Sequence, residues 1–307
     1  MGVITTAQFA KLMWPGLNKT FGLNYNEYPP EYTKLFDVAS SNKAFEEDQA
    51  LQGFGLAFEK SEGSSIIFDE ASQSFTFRYV NKTYTLGFAI TQETIEDNQY
   101  DLSIVGSNQA AGLGRSMRLT REFLGANLFN LAFAAGTTYG DGYRMIGASQ
   151  PTKSGITWSN TLSTAADLSE LSLEQALIDI AGFKDERGNI IAVKGNSLHI
   201  PKELEFEVTR ILKSTLQSGT ANNDLNALNT LNKFPGGVHV NHYFTDTDAW
   251  FIRTDITKDT GLRWFDRVKT EFAMDNDFAT TNALYRARFR CSMGISDKRG
   301  VFGSPGG

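Results

Sequence analysis

Ser74-Phe-Thr-Phe-Arg-Tyr-Val80, Tyr84-Thr-Leu-Gly-Phe-Ala-Ile90 and Thr91-Gln-Glu-Thr-Ile-Glu-Asp97 follow one another almost without a break, and their reading decides the fold. In the first, apolar and polar positions alternate, the period of two that marks a strand with one buried face. The second reads as a further strand. Thr91 then suits a helix N-cap, with Glu93 or Thr94 in the first turn. After a break over 98–107, Leu113, Met117, Thr120, Leu124, Leu128, Leu131 and Ala135 recur every three or four residues, one stripe with a single polar interruption. Phe129 and Phe133 form a second row. A helix over 108–135 would run about 42 Å at the usual rise per residue. Gly112, Gly114 and Gly125 either weaken it or admit another backbone at close range. Periodicity alone makes it an ordinary core helix.

Upstream, Leu56-Ala-Phe-Glu-Lys60, the small polar cluster Ser61-Glu-Gly-Ser-Ser65 and Ile66-Ile-Phe68 complete a candidate long hairpin with 74–80. A two-stranded ribbon is marginal in water, so it needs a sheet or another subunit to lie on. Residues 1–48 are rich in turn formers and aromatics without sustained periodicity: Trp14-Pro-Gly16, Phe21-Gly22, Tyr28-Pro-Pro-Glu-Tyr32. Pro29-Pro30 favours an extended path. Such an arm lies across its own core or on a neighbour, and its composition does not choose between them.

Downstream, 136–166 is rich in Gly, Ser and Thr and reads as a domain boundary or long surface loop. A compact α/β segment follows. It comprises a helix over 172–182 with Leu173, Ala176, Leu177 and Ile180 inward, a buried strand over 195–201, and a helix over 203–216 started by Pro201. Val238–Val240 and Ala249–Arg253 read as strands. Two longer strands, 263–272 and 279–293, flank a turn at Met274-Asp-Asn-Asp277, and the tail 296–307 is polar and glycine-rich.

The 307 residues carry 29 Lys+Arg against 35 Asp+Glu, a formal charge of −6, with 41% hydrophobic and 21% charged residues. That composition is globular, and its sign argues against tight, sequence-independent grip on nucleic acid. A single cysteine, Cys291, excludes an intrachain disulfide and a thiolate-rich metal site. Neither signal peptide nor membrane span is read, and Asn18-Lys-Thr20 and Asn81-Lys-Thr83 match the glycosylation pattern by chance. Neither phosphate-cradling glycine loop occurs, nor H-E-x-x-H nor G-x-S-x-G. His199, His239 and His242 lack metal-ligand spacing, and Asp275-Asn-Asp277 fits a hairpin turn better than a calcium loop. No catalytic residue, cofactor site or metal site is assigned. Arg286-Ala-Arg-Phe-Arg290 alternates along a strand, so three arginines share one face. That face is either solvated, or pairs with acidic groups across a subunit boundary or with nucleic acid.

The order of parts resembles the major capsid proteins of tailed bacteriophages with the Hong Kong 97-type fold, closest to the Mu-type major head subunits. The resemblance spans nearly the whole chain. It rests on the aromatic arm, the projecting hairpin 56–80 and Phe88–Asp97 leading into the long helix. It also rests on Asn196-Ser-Leu-His-Ile-Pro-Lys-Glu-Leu204, Thr245-Asp-Thr-Asp-Ala-Trp-Phe251 and Asp297-Lys-Arg-Gly-Val-Phe-Gly303.

The resemblance implies an α+β fold in four parts: an N-terminal arm (1–48), an extended loop (49–90), a peripheral domain with a spine helix (91–136 and 256–293), and an axial domain (137–255 and 294–307). It implies hexamers and pentamers closing an icosahedral head around double-stranded DNA, touched weakly, within a virion assembled in the bacterial cytoplasm. Scaffold, portal and decoration proteins are the implied partners, scaffolding being separate or already removed. Lys60 and Lys82 do not match the family's cross-linking motif. Subunit-interface candidates are Trp14, Phe21, Tyr28 and Tyr32 on the arm, Phe58, Phe68, Phe75, Phe77 and Tyr79 on the hairpin, and Arg286, Arg288 and Arg290. An enzyme-loaded compartment of the same fold is the alternative, and a hydrolase using the scattered histidines a distant third.

Overall fold

Tyr285, Ala287, Phe289 and Cys291 alternate with Arg286, Arg288 and Arg290, and the strand they form is the spine of the first of two four-stranded sheets among the described residues. The computed structural model describes residues 6–91, 93, 102–216, 225–256, 261–277 and 282–307. From the N-terminus, an arm helix (Thr6–Tyr25) and a single turn (Tyr32–Leu35) lead into β1 (Asp37–Ser40). A hairpin of β2 (Phe45–Gln52) and β3 (Ser72–Val80) follows, then β4 (Lys82–Ile90) and the long helix (Leu102–Asn130). Beyond the short pair β5 (Gln150–Pro151) and β6 (Thr157–Trp158) come a helix (Glu170–Ala181), β7 (Gly195–Pro201), a helix (Glu205–Lys213), β8 (Gly237–Asn241) and β9 (Trp250–Thr254). The chain closes with β10 (Leu262–Asn276), β11 (Ala283–Ile295) and β12 (Val301–Ser304).

The first sheet has the order β1-β10-β11-β4. β10 and β11 form a long antiparallel ribbon, with β1 parallel to β10 on one edge and β4 antiparallel to β11 on the other. Its apolar face receives the long helix and the arm. Phe21, Tyr32, Leu35, Phe36, Leu113, Met117, Phe129, Trp264 and Phe289 share one core, and Trp14 and Phe21 stack on Phe272 at 4.9 and 4.7 Å. The long helix accepts the arm through glycines. A Cβ on Gly114 would lie 2.7 Å from the Phe21 carbonyl, and one on Gly125 2.8 Å from Tyr32 Cβ, whereas one on Gly112 would meet nothing. Gly114 and Gly125 are therefore close-approach positions.

The second sheet has the order β12-β9-β7-β8, with β8 parallel to β7 and the other pairs antiparallel. Leu173, Ala176 and Ile180 of one helix and Val208 and Ile211 of the other pack with Leu198, Ile200, Trp250, Ile252 and Phe302. Ser169 caps the helix Glu170–Ala181 in a reciprocal pair with Ser172.

Several expectations change. The arm is helical through Pro15, where the sequence reads as turn formers without sustained periodicity. A proline inside a helix costs about 3 kcal/mol, which Leu17 and Phe21, buried against the long helix and the first sheet, offset. The long helix ends at Asn130, and its inner line runs Ala110, Leu113, Met117, Arg121, Gly125, Phe129; Leu131 and Ala135 are exposed. Pairing in the hairpin falls on Phe45–Gln52, so the boundary drawn at 48/49 cuts β2, while 56–60 and 66–68 form no ladder. The segment 136–166 is no plain surface loop, because Met145, Ile146, Gln150 and Asn160 are buried in it. The tail enters the second sheet as β12, with Val301, Phe302 and Ser304 fully buried. The helix start read at Thr91–Asp97 lies mostly outside the described residues.

Candidate assembly surfaces

Between Gly53 and Ala71 the chain forms a loop whose two legs make no strand pairing. Its apolar side chains face outward: Phe54, Leu56, Phe58, Ile66, Ile67 and Phe68 are all at least 65% exposed. Isolated exposed apolar residues are ordinary, but six of them on one projection form a surface that water disfavours and a neighbour would bury.

The base of the loop is polar and tied down. Arg187 donates from Nε to the Gly53 carbonyl (2.8 Å) and from Nη2 to the Glu70 carbonyl (2.7 Å), and its Nη1 lies 3.0 Å from Asp69 Oδ2. The Gly55 N–H donates to the same carboxylate at 2.7 Å. That N–H is the main cause holding the Asp69 carboxyl below its ordinary range; burial opposes it, and the Glu70 N–H and Arg187 reinforce it. One step inward, Glu186 accepts from Ser74 (3.3 Å), and Arg299 Nη2 donates to it (3.2 Å). Lys298, buried, donates to Asp141 (2.7 Å), the Tyr143 carbonyl (2.9 Å) and Gln150 (3.1 Å).

The root of the arm has a second polar tie. Glu122 on the long helix accepts the N–H groups of Glu31 (3.1 Å) and Tyr32 (2.9 Å), which start the turn Tyr32–Leu35. Burial raises the Glu122 carboxyl to about 7, against the pull of those two N–H groups. Glu31 in turn accepts from the backbone N–H of His242 (3.0 Å) and lies 2.7 Å from its Nδ1. One glutamate pair therefore joins the arm, the long helix and the turn after β8.

Among the residues read from the sequence as interface candidates, the loop residues Phe58 and Phe68 are exposed, Phe68 at 90%. Tyr28 is exposed under the Arg118 guanidinium at 4.8 Å. Trp14 and Phe75 are half-buried. Phe21, Tyr32, Phe77 and Tyr79 are corrections: each is at most 9% exposed and fills the chain's own interior, which leaves no surface for a partner. Arg286 is exposed, Arg288 and Arg290 half-buried, and all three lie on the face of β11 away from the core. Arg288 pairs with Glu271 of the same chain at 3.2 Å.

The histidines do not converge on a reactive site. His199 and His239 are register partners on β7 and β8 with rings 5.1 Å apart, and His242 is engaged by Glu31. His199 Nε2 lies 2.9 Å from Ser197 Oγ, but its Nδ1 has no partner among the described residues, so no third group orients the ring. Burial drives its pKa well below the ordinary value. Burial likewise raises the Cys291 thiol to about 12, leaving it a core side chain. Among the described residues, no group of three metal-ligating side chains occurs and no helix is long and apolar enough to cross a membrane. Sequence reading missed Arg187, Glu122 and Arg121, whose roles depend on partners far along the chain. The apolar run Phe54-Gly-Leu-Ala-Phe58 was the legible signal for the loop.

The model of the phage capsid protein family matches residues 76–303, well over half of the chain. No curated protein matches it. Among solved structures it is similar to the procapsid of bacteriophage JBD30, with TM-score 0.52 and 16% identity, covering 98% of this chain and 76% of that one. It is similar to a chain of Mycobacterium phage Patience (TM-score 0.54, 11% identity, 98% and 89% covered) and to the virus-like particle of Pyrococcus furiosus (0.51, 12%, 94% and 98%). At these identities the likeness establishes the α+β, Hong Kong 97-type architecture. Fold and matched span together show that the chain belongs to the phage capsid protein family.

Proposed function

We propose that this chain is the major capsid protein of a tailed bacteriophage, a structural protein that assembles as hexamers and pentamers into an icosahedral head around double-stranded DNA. The observation that carries the proposal is the loop 53–71. The hydrophobic cores formed by the described residues are closed without it, yet it holds out six large apolar side chains. Burial against a second copy recovers roughly 25 cal/mol for each Å² removed from water, and many such contacts are needed to hold a thin shell. The first sheet with the long helix acts as the peripheral part and the second sheet as the axial part around the five- and six-fold centres. The charge of −6 suits a container that encloses DNA without gripping it. Assembly takes place in the host cytoplasm, with scaffold and portal proteins as partners and decoration proteins as further ones, and the Mu-type head subunits are the proposed subtype.

The likeness to the Pyrococcus furiosus particle supports a second reading, a protein-loaded compartment of the same fold. Negative-stain electron microscopy of the protein expressed alone and with its neighbouring genes tests both. Closed shells or rings of five and six are expected, and contents that are nucleic acid or enzyme separate the two readings. A monodisperse monomer under every condition would overturn both.

A further inference from the structure

We infer that Arg187 is a positioning residue for assembly: it fixes the direction in which the loop 53–71 leaves the free subunit, and so the pose its apolar tip presents to the next copy. The inference rests on the shell-forming role proposed above. The legs of the loop make no ladder with each other, so backbone pairing sets nothing beyond Gln52 and Ser72. Arg187 spans both legs at once, holding Gly53 on the first and Asp69 and Glu70 on the second. The Gly55 N–H closes the ring onto Asp69.

Arg187 is itself held. Asp185 accepts the N–H groups of Arg187 and Asn189, each at 2.8 Å, and Gly188 takes a φ of +90° between them. The turn is anchored at its base by the bridge between Lys184 and Ile190, and by Arg299 donating to the Lys184 carbonyl at 2.7 Å. A rigid turn of one body thus carries a planar, forked cation into the gap between two legs that form no ladder with each other. Lysine cannot reproduce that geometry, because an ammonium is a single point and a guanidinium binds two acceptors in one plane. The Arg187 and Asp69 side chains are 27% and 40% exposed. A pair so open to water adds little to global stability, and its consequence is orientation.

The test uses the full chain with Arg187→Ala, Arg187→Lys and Asp69→Asn, read by amide exchange at Gly55 in the unassembled subunit, thermal unfolding, and shell yield by light scattering and microscopy. Expected for both Arg187 variants is exchange at Gly55 faster by about tenfold or more, as local opening becomes easier. The unfolding midpoint should stay within about 1 °C, and yield of regular shells should fall. Unchanged exchange at Gly55 overturns the clamp. Faster exchange with undiminished shell yield overturns its role in assembly, as does full rescue by Arg187→Lys. Should the wild-type chain form no shell, the shell-forming role fails by itself, and exchange at Gly55 still decides whether Arg187 holds the loop.

Discussion

Arg121 occupies an inner position of the long helix, and replacing it tests how arm, helix and first sheet are joined. Its Nη2 lies 2.6 Å from Asp266 Oδ1, which also accepts from Trp264 Nε1 at 2.9 Å. The guanidinium stands over Tyr32, Trp264 and Phe289 at 5.0, 5.4 and 5.5 Å. Burial opposes the charge, but Tyr25, Tyr32 and Asp266 outweigh it and hold the pKa above its ordinary value. The two side chains are 5% and 14% exposed. Removing one partner from a pair this dry costs about 3–5 kcal/mol, because the other charge is left behind, whereas replacing both with uncharged groups of similar volume comes close to neutral. Arg121→Met alone should therefore cost about 3–5 kcal/mol. Asp266→Asn should cost a similar amount, and the double variant no more than about 2 kcal/mol, since asparagine still offers Trp264 an acceptor. In a chain of this size, roughly 2 °C of unfolding midpoint corresponds to each kcal/mol, so the single variants should melt about 6–10 °C lower. Urea unfolding of the free subunit followed by tryptophan fluorescence measures the cycle, provided the slope against denaturant is unchanged. A cost below about 1 kcal/mol for Arg121→Met, or a double variant whose loss equals the sum of the singles, would refute the reasoning.

Alanine on the long helix should divide by position. At Gly112 it stabilises by about 0.5–1 kcal/mol through helix propensity; at Gly114 the methyl meets the Phe21 carbonyl and destabilises by about 1–3 kcal/mol, both read by thermal unfolding. Glu122 makes stability depend on pH. Its carboxyl is raised from the ordinary 4.5 to about 7, so the folded state binds the proton more tightly, and the contribution is full below about pH 4.5 and lost as pH rises through 7. Over that window stability should fall by up to about 3 kcal/mol, and Glu122→Gln should flatten the slope; an unaltered pH profile in that variant contradicts the assignment. Phe68→Asp, at a side chain 90% exposed, should leave the stability of the subunit within about 0.5 kcal/mol of wild type and abolish shell formation. Normal shells from that variant would remove the loop from the assembly contact.

Much of the architecture was legible where neighbours along the chain decide the structure. Gly195–Pro201 is a strand with the bounds read from its apolar run, and the alternation of β11 places its arginines on one face. What escaped depended on partners far away. Phe45–Gln52 carries three acidic residues and has weak strand propensity, yet pairs with β3 through contacts such as Glu47 with Arg78 at 2.6 Å. Arg121 falls off the apparent stripe, which runs through Thr120, because a cation looks like an outer position until Asp266, 145 residues on, is seen beside it. Pro15 and the tail misled for the same reason, since tertiary burial overrode local preference. The interface candidates on the arm and hairpin rest on aromatic content. It does not tell side chains that pack within the chain, such as Phe21 and Tyr79, from those held outward, such as Phe58 and Phe68.

The most direct test of the shell-forming account is an electron cryomicroscopy map of assembled particles at side-chain resolution. The account predicts that Phe54, Leu56, Phe58, Ile66, Ile67 and Phe68 each lie against an adjacent copy, while Phe21, Tyr32, Phe77 and Tyr79 keep their intrachain contacts. Particles in which the loop 53–71 stays bare to solvent at every position of the shell would contradict it.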